Sequence, residues 1–163
     1  MINHIIFDVD GTLTDGGLFV ANNGMEFKQF SVKDGLIISV LPKLGFTTMF
    51  VTGRISKLTD IRAEDLHICK VFQGVNDKAG LIAGYMEENK LGREHFAYMG
   101  DDLNDIAAMN LCAFKACPSD AAKEVKDICD YIATQPGGCG AAREVCEILL
   151  HRQNKYENFK ACF

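Results

Sequence analysis

Short apolar runs alternate with stretches of helical periodicity along the whole chain. Ile2–Phe7, Thr47–Val51, Val71–Phe72, Phe96–Met99, Cys112–Lys115 and Tyr131–Ile132 are mostly apolar on consecutive positions, which predicts strands covered on both faces. Between them, Lys33–Leu44, Ser56–Asp65, Asp77–Leu91, Leu103–Met109, Asp120–Ile128 and Gly140–Arg152 read as helices. In the third helix Ala79, Ile82, Tyr85 and Met86 share one face while Glu87, Glu88 and Lys90 lie off it, and Gly92 is the expected C-cap. This alternation predicts βαβ units, hence an α/β fold with a Rossmann-like, doubly wound parallel sheet. One stretch, about residues 17–30, departs from it. Leu18-Phe19-Val20 and Glu26-Phe27-Lys28 flank Asn22-Asn23-Gly24, which predicts a β-hairpin flap just after Asp8 and Asp10. Phe19 and Phe27 are expected to pack, with contact to substrate or a neighbouring subunit as the other use. Residues 153–163 are polar until their end and read as a tail, disordered or lying across a partner.

Length and charge narrow the class. A chain of 163 residues is one domain, 1–163, able to bury a core without disulfides or metal staples. Seventeen basic against 22 acidic residues give a net charge of −5, which argues against nucleic acid, because such binders cluster Lys and Arg. No apolar run approaches the ~18 residues of a membrane span. Met1–Phe7 lacks a basic region and runs into Asp8, so no secretory leader is expected. The seven cysteines are odd in number and contain no Cys-x-x-Cys pair, which predicts reduced thiols in a cytoplasmic protein. His4, His67, His95 and His151 lack partners at metal-ligand spacing and read as structural or surface residues.

Chemistry concentrates where strands give way to helices, the rim at which open α/β sheets bind ligands. The first strand ends in Asp8-Val9-Asp10-Gly11-Thr12, the second in Thr52-Gly53-Arg54 and the fourth in Gly100-Asp101-Asp102-Leu103-Asn104-Asp105, while Lys78 opens the helix after the third. Transfer of a phosphoryl group from a monoester needs each of these types. Asp8 is the candidate nucleophile, forming an aspartyl-phosphate. Asp10, two residues on along an extended segment, points the same way and is the candidate general acid and base. So many carboxylates repel a phosphate unless a cation intervenes, and an all-oxygen site suits Mg²⁺, with Asp8 and Asp101 ligating through side chains and Asp10 through its carbonyl. Thr52, the Gly53 N–H and Lys78 are the candidate phosphate-binding groups.

These residues resemble the haloacid dehalogenase superfamily of phosphohydrolases, whose four motifs match Asp8–Thr12, Thr52–Gly53, Lys78 and Gly100–Asp105. Many members carry a cap domain over the site. Here the intervals between motifs have room only for the hairpin or for one helix and one strand, so the expected fold is the haloacid dehalogenase fold with a flap and no cap. Longer strings are similar to the family of 3-deoxy-D-manno-octulosonate 8-phosphate phosphatases of lipopolysaccharide biosynthesis: Asn22-Asn23-Gly24, Phe30–Gly35, Thr52-Gly53-Arg54 with Arg62, Phe72-Gln73-Gly74, and Gly137–Glu144. The resemblance implies a homotetramer in which flap and C-terminal segments (about 140–163) wall a neighbour's pocket. It also implies that Asp10, Ser31, Val32, Lys33, Asp34, Gly35, Arg54 and Arg62 contact a keto sugar-acid phosphate. Ser39 and Cys139 stand where that family places basic residues, which keeps a nine-carbon nononate 9-phosphate open as an alternative substrate. Two rivals from other classes are a phospho-receiver domain and a non-catalytic oligomerisation module.

Overall fold

The structure, a computed structural model, describes residues 1–163. Six parallel strands form the sheet: β1 (His4–Phe7), β4 (Thr47–Val51), β5 (Lys70–Phe72), β6 (Phe96–Met99), β7 (Phe114–Cys117) and β8 (Tyr131–Ile132). The hairpin strands β2 (Phe19–Val20) and β3 (Glu26–Phe27) stand apart from it. Seven helices complete the chain: α1 (Val32–Ile38), α2 (Lys57–Asp65), α3 (Lys78–Asn89), α4 (Ile106–Met109), α5 (Lys123–Lys126), α6 (Ala141–Arg152) and α7 (Tyr156–Lys160).

The order β5-β4-β1-β6-β7-β8 is the Rossmann order, with β4 and β5 wound outward from β1 on one side and β6, β7 and β8 on the other. A receiver domain follows a different order, in which the second strand is outermost beside the first, so the sheet itself removes that rival. Successive residues of β1 serve opposite faces, as the period of a strand requires. Ile5 and Phe7 join the larger core beneath α1, α2, α6 and α7, with Ile38, Ala63, Leu149 and Phe159. Ile6 joins the smaller core beneath α3, α4 and α5, with Ile82, Met109 and Val125.

Several expected boundaries shift for local reasons. The helix expected over Lys33–Leu44 ends at Ile38, and a 3₁₀ turn follows at Leu41–Leu44, because Pro42 has no N–H to continue the ladder. The strand expected over Cys112–Lys115 begins at Phe114, since the Cys112 N–H is spent on Met109 O at 3.0 Å in the turn closing α4. Gly92 is not the C-cap of α3. Lys90 is, at φ 55°, with Lys90 N–H donating to Glu87 O and Leu91 N–H to Met86 O in a Schellman closure. The tail is ordered rather than loose: Phe159 is buried, and Lys155 donates to Leu44 O at 2.8 Å. The flap forms as expected, closed by Ala21 N–H to Met25 O at 2.8 Å with Gly24 at φ 81°. Its aromatic side chains do not pack within the chain, however; Phe19 is 73% exposed and Phe27 54%.

Candidate active site

The winding changes direction between β1 and β6, and Asp8 and Asp101 stand just beyond the ends of those two neighbouring strands. A crevice forms at such a point because the connections from adjacent strands leave to opposite faces. Gly11, at φ +93°, presses against Asp101 so closely that a Cβ would overlap its carboxylate. Thr12 Oγ1 then donates to Asp101 Oδ1 at 2.8 Å. Gly137 and Gly138 close the far side: a Cβ on Gly137 would overlap the Gly11 carbonyl, and Gly138 N–H donates to Thr12 O at 3.1 Å. The glycine-rich segment thus braces the loop that carries Asp8 and Asp10.

Lys78 lies beneath this loop, fully withdrawn from solvent. Its ammonium donates to Asp8 Oδ1 at 2.8 Å and to Asp105 Oδ1 at 2.7 Å. Asp105 is the hub that holds the arrangement, a role that spacing along the chain does not assign. Its Oδ1 also accepts from Tyr98 OH at 2.8 Å, and its Oδ2 accepts from the Asp101 N–H at 3.1 Å. Its position inside the Gly100–Asp105 string is the one signal of it in the sequence. Lys78 itself is expected on the phosphate; in this structure its nearest partners are two carboxylates, one of them the candidate nucleophile.

The electrostatics show a site short of positive charge. Burial pushes the Asp8 carboxyl up to about 6, the negative charge of Asp105 adds to this, and Lys78 opposes it. Burial likewise raises Asp101 to about 7, against the Thr12 hydrogen bond and with the charges of Asp8 and Asp105 adding to it. Burial pulls Lys78 down, but Asp8 and Asp105 outweigh it and the net direction is up. Ligand oxygens of Asp8, Asp101 and Asp105 lie within 4.8 Å of one another. One lysine among three carboxylates leaves the cluster anionic, and an all-oxygen donor set of this kind fits a hard divalent cation such as Mg²⁺.

Above the cluster opens a cleft of about 170 Å³ whose lining contains no apolar residue: Asp8, Asp10, Thr52, Gly53, Arg54, Asp101, Asp102 and Asn104. The cleft therefore brings together Asp8, Asp10, Thr52, Gly53, Arg54 and Asp101 of the expected site residues. Thr52 is buried and its hydroxyl accepts the Arg54 N–H at 3.4 Å. Arg54 reaches Glu26 of the flap at 2.9 Å and lies 3.8 Å from Asp10 Oδ2. Asn104 is an addition that spacing alone does not single out.

Residues 31–35 and Arg62 are not brought to the cleft within one chain. Ser31 Oγ caps α1 by accepting the Asp34 N–H at 3.3 Å, while Val32 and Lys33 face solvent. Arg62 donates to Ser31 O at 3.0 Å and to Asp65 at 2.7 Å, with its guanidinium over the Phe30 ring. Gly35 lies so close to Arg62 that a Cβ would collide with the guanidinium. Asp34, also expected to meet substrate, has a buried carboxylate that accepts the N–H groups of Gly140 at 3.2 Å and Arg143 at 2.7 Å. It caps the N-terminus of α6 from a different helix, where the exposed N–H groups and the helix dipole favour an anion.

Residues 55–142 match the model of a family described as haloacid dehalogenase-like hydrolase. The chain is 36% identical to the 3-deoxy-D-manno-octulosonate 8-phosphate phosphatase KdsC of Escherichia coli K12 over 159 residues, which is 98% of this chain and 85% of that protein. Among solved structures it is similar to the 3-deoxy-D-manno-octulosonate 8-phosphate phosphatase of Moraxella catarrhalis in complex with magnesium, phosphate and KDO. That likeness has a TM-score of 0.95 and 38% identity, covering 99% of this chain and 93% of the other. The cobalt-bound deoxy-D-mannose-octulosonate 8-phosphate phosphatase of Haemophilus influenzae gives a TM-score of 0.89 at 35% identity, over 95% and 91% of the two chains.

Proposed function

The chain belongs to the haloacid dehalogenase-like hydrolases, and on that premise we propose that it is a Mg²⁺-dependent phosphatase acting on 3-deoxy-D-manno-octulosonate 8-phosphate. The observation that carries this reading is the wholly polar cleft over the anionic cluster, in a chain 38% identical to a phosphatase holding magnesium, phosphate and KDO. Asp8 and Asp101 through their carboxylates, and Asp10 through its carbonyl, would hold Mg²⁺, which when bound neutralises the acids that otherwise repel a phosphate dianion. Asp8 attacks phosphorus and forms the aspartyl-phosphate, while Asp10 gives a proton to the departing sugar alkoxide. In the second half Asp10 takes a proton from the attacking water. Thr52 and the Gly53 N–H hold the transferring oxygens, and Lys78 neutralises charge on the phosphorylated Asp8. Arg54, at the mouth, pairs with the sugar-acid carboxylate.

The same reading covers the assembly. Residues 1–163 are one hydrolase domain without a cap, and four copies complete one another's pockets, so that Ser31, Val32, Lys33, Gly35 and Arg62 meet a substrate held largely by another subunit. Exposed apolar side chains support this: Phe19, Val20 and Phe27 on the flap, with Val32, Ile55 and Ile61 nearby in sequence on the candidate-site segments. All seven cysteines are free thiols, which suits a cytoplasmic enzyme releasing a keto sugar acid for lipopolysaccharide synthesis.

Two measurements test the reading. In a panel of phosphate esters with Mg²⁺, octulosonate 8-phosphate is expected to have the highest kcat/KM, at least about tenfold above nononate 9-phosphates and hexose phosphates. A higher value for a nononate ester would move the substrate assignment to the alternative. In sedimentation, wild type is expected as a tetramer, and Phe19→Ser with Phe27→Ser as smaller species of reduced kcat/KM. A fully active wild-type monomer would remove the shared-pocket proposal.

A further inference from the structure

Glu26 and Lys28 of the flap, two residues apart, both turn toward the site, while Phe27 between them turns outward to solvent. Glu26 takes Arg54. Lys28 goes deeper: its side chain is 0% exposed and its ammonium lies 2.6 Å from Asp10 Oδ1. No hydrogen bond of good geometry reaches Lys28 Nζ, so Asp10 is the one charge that compensates a buried ammonium. The dependence is mutual, because Asp10 Oδ2 is buried and has no hydrogen-bond partner. Arg54 Nε, at 3.8 Å, is too far to fill that place.

We infer that Lys28 is a positioning residue for proton transfer by Asp10. The ammonium fixes the carboxyl through Oδ1 and so holds the acid at the cleft that it lines. Without that ion pair the nearest cation to the Asp10 carboxyl is Arg54, at 3.8 Å, and the side chain samples rotamers that cannot reach the ester bond. The flap then has a second task beyond covering the pocket. It also places a cation beside the general acid of its own chain. This inference rests on the phosphatase reading and on Asp10 as its acid.

The test exploits leaving groups. An alkoxide needs a proton as it departs, whereas p-nitrophenolate does not, so only the sugar ester depends on Asp10 as an acid. For Lys28→Met the ratio of kcat on octulosonate 8-phosphate to kcat on p-nitrophenyl phosphate is expected to fall about 10- to 100-fold, part of the 10²–10⁴ that general acid catalysis supplies. Lys28→Arg, which keeps the charge, is expected to recover most of the ratio. A flap that merely loses its fold lowers both substrates together, so an unchanged ratio in Lys28→Met overturns the inference. Failure of Lys28→Arg to recover the ratio, when its circular dichroism and assembly match wild type, also overturns it. Wild type inactive on both esters with Mg²⁺ would instead overturn the phosphatase reading, and this inference with it.

Discussion

Asp8→Asn is expected to lower kcat on any phosphate ester by at least about 10⁴-fold, the scale on which enzymes lose rate when a nucleophile is removed. The side chain stands at the tip of β1, with its N–H held by Met99 O at 3.0 Å and Oδ1 held by Lys78 at 2.8 Å. Asn is isosteric and its carbonyl oxygen can still accept from Lys78, so the fold has no reason to change. What disappears is the anionic oxygen that attacks phosphorus. Stability should move the other way. Asp8 is raised to about 6 by burial and by Asp105, so its charge is unfavourable at neutral pH in metal-free protein. Removing that charge is expected to leave the melting temperature in EDTA at or above that of wild type. Activity and stability would thus separate, as they do where a site stores like charges for function. The pair of measurements is kcat on octulosonate 8-phosphate and a thermal melt in EDTA. Turnover within about 100-fold of wild type would sink the nucleophile assignment, and a large drop in melting temperature would show that Asp8 mainly supports the fold.

The sheet is legible in the sequence because its strands are apolar on both faces, and β1 and β6 stand out as unbroken runs. The acids of the cleft are legible for a related reason: in a wound sheet the end of each run fixes the rim, so Asp8, Thr52 and Asp101 follow from where the runs stop. Frame and ends are harder. Cys112–Cys117 has apolar residues at either end of one run, and only the hydrogen bond closing α4 decides that the strand starts at Phe114. Partners from distant segments carry no signal in spacing. Asp34 reads as a substrate contact, yet it caps a helix that begins more than 100 positions later, an interaction that exists only after both elements pack on the sheet. Asp105 is visible as one acid among several, while its grip on Lys78, Tyr98 and the Asp101 N–H needs three elements in place. Ser31–Gly35 with Arg62 form a coherent group but not at their own cleft, which is what a pocket completed between subunits would require.

In metal-free protein, stability is expected to fall as pH rises from about 4 to about 7, and Mg²⁺ is expected to abolish most of that fall. Asp8 and Asp101 hold protons up to about 6 and about 7 in the folded state, against an ordinary carboxylate value of 3.8. Across that window the folded chain binds more protons than the unfolded chain, so the free energy of unfolding declines with pH. A carboxyl raised by one pH unit on folding costs about 1.4 kcal/mol of stability once it is ionised. The two groups together therefore contribute a loss on the order of a few kcal/mol, after discounting their mutual coupling and partial exposure. Other groups act in the same or the opposite sense. Asp34 is also raised by burial and adds to the loss. His4 is lowered by burial and by His95, and the Glu144 carboxyl is held down by Tyr131 and Thr134 against its own burial, so both gain stability as pH rises. None of these three is a candidate ligand, so they cancel when melts with and without the cation are compared. Mg²⁺ competes with protons for Asp8 and Asp101, because a carboxylate must be ionised to ligate. The stabilisation by Mg²⁺ at a fixed saturating concentration is therefore expected to be small at pH 5 and several degrees larger at pH 8. Asp101→Asn should remove most of that pH dependence by taking away one ligand and the most strongly raised carboxyl. A stabilisation by Mg²⁺ that is equal at pH 5 and pH 8, in wild type as in Asp101→Asn, would place the cation away from this cluster.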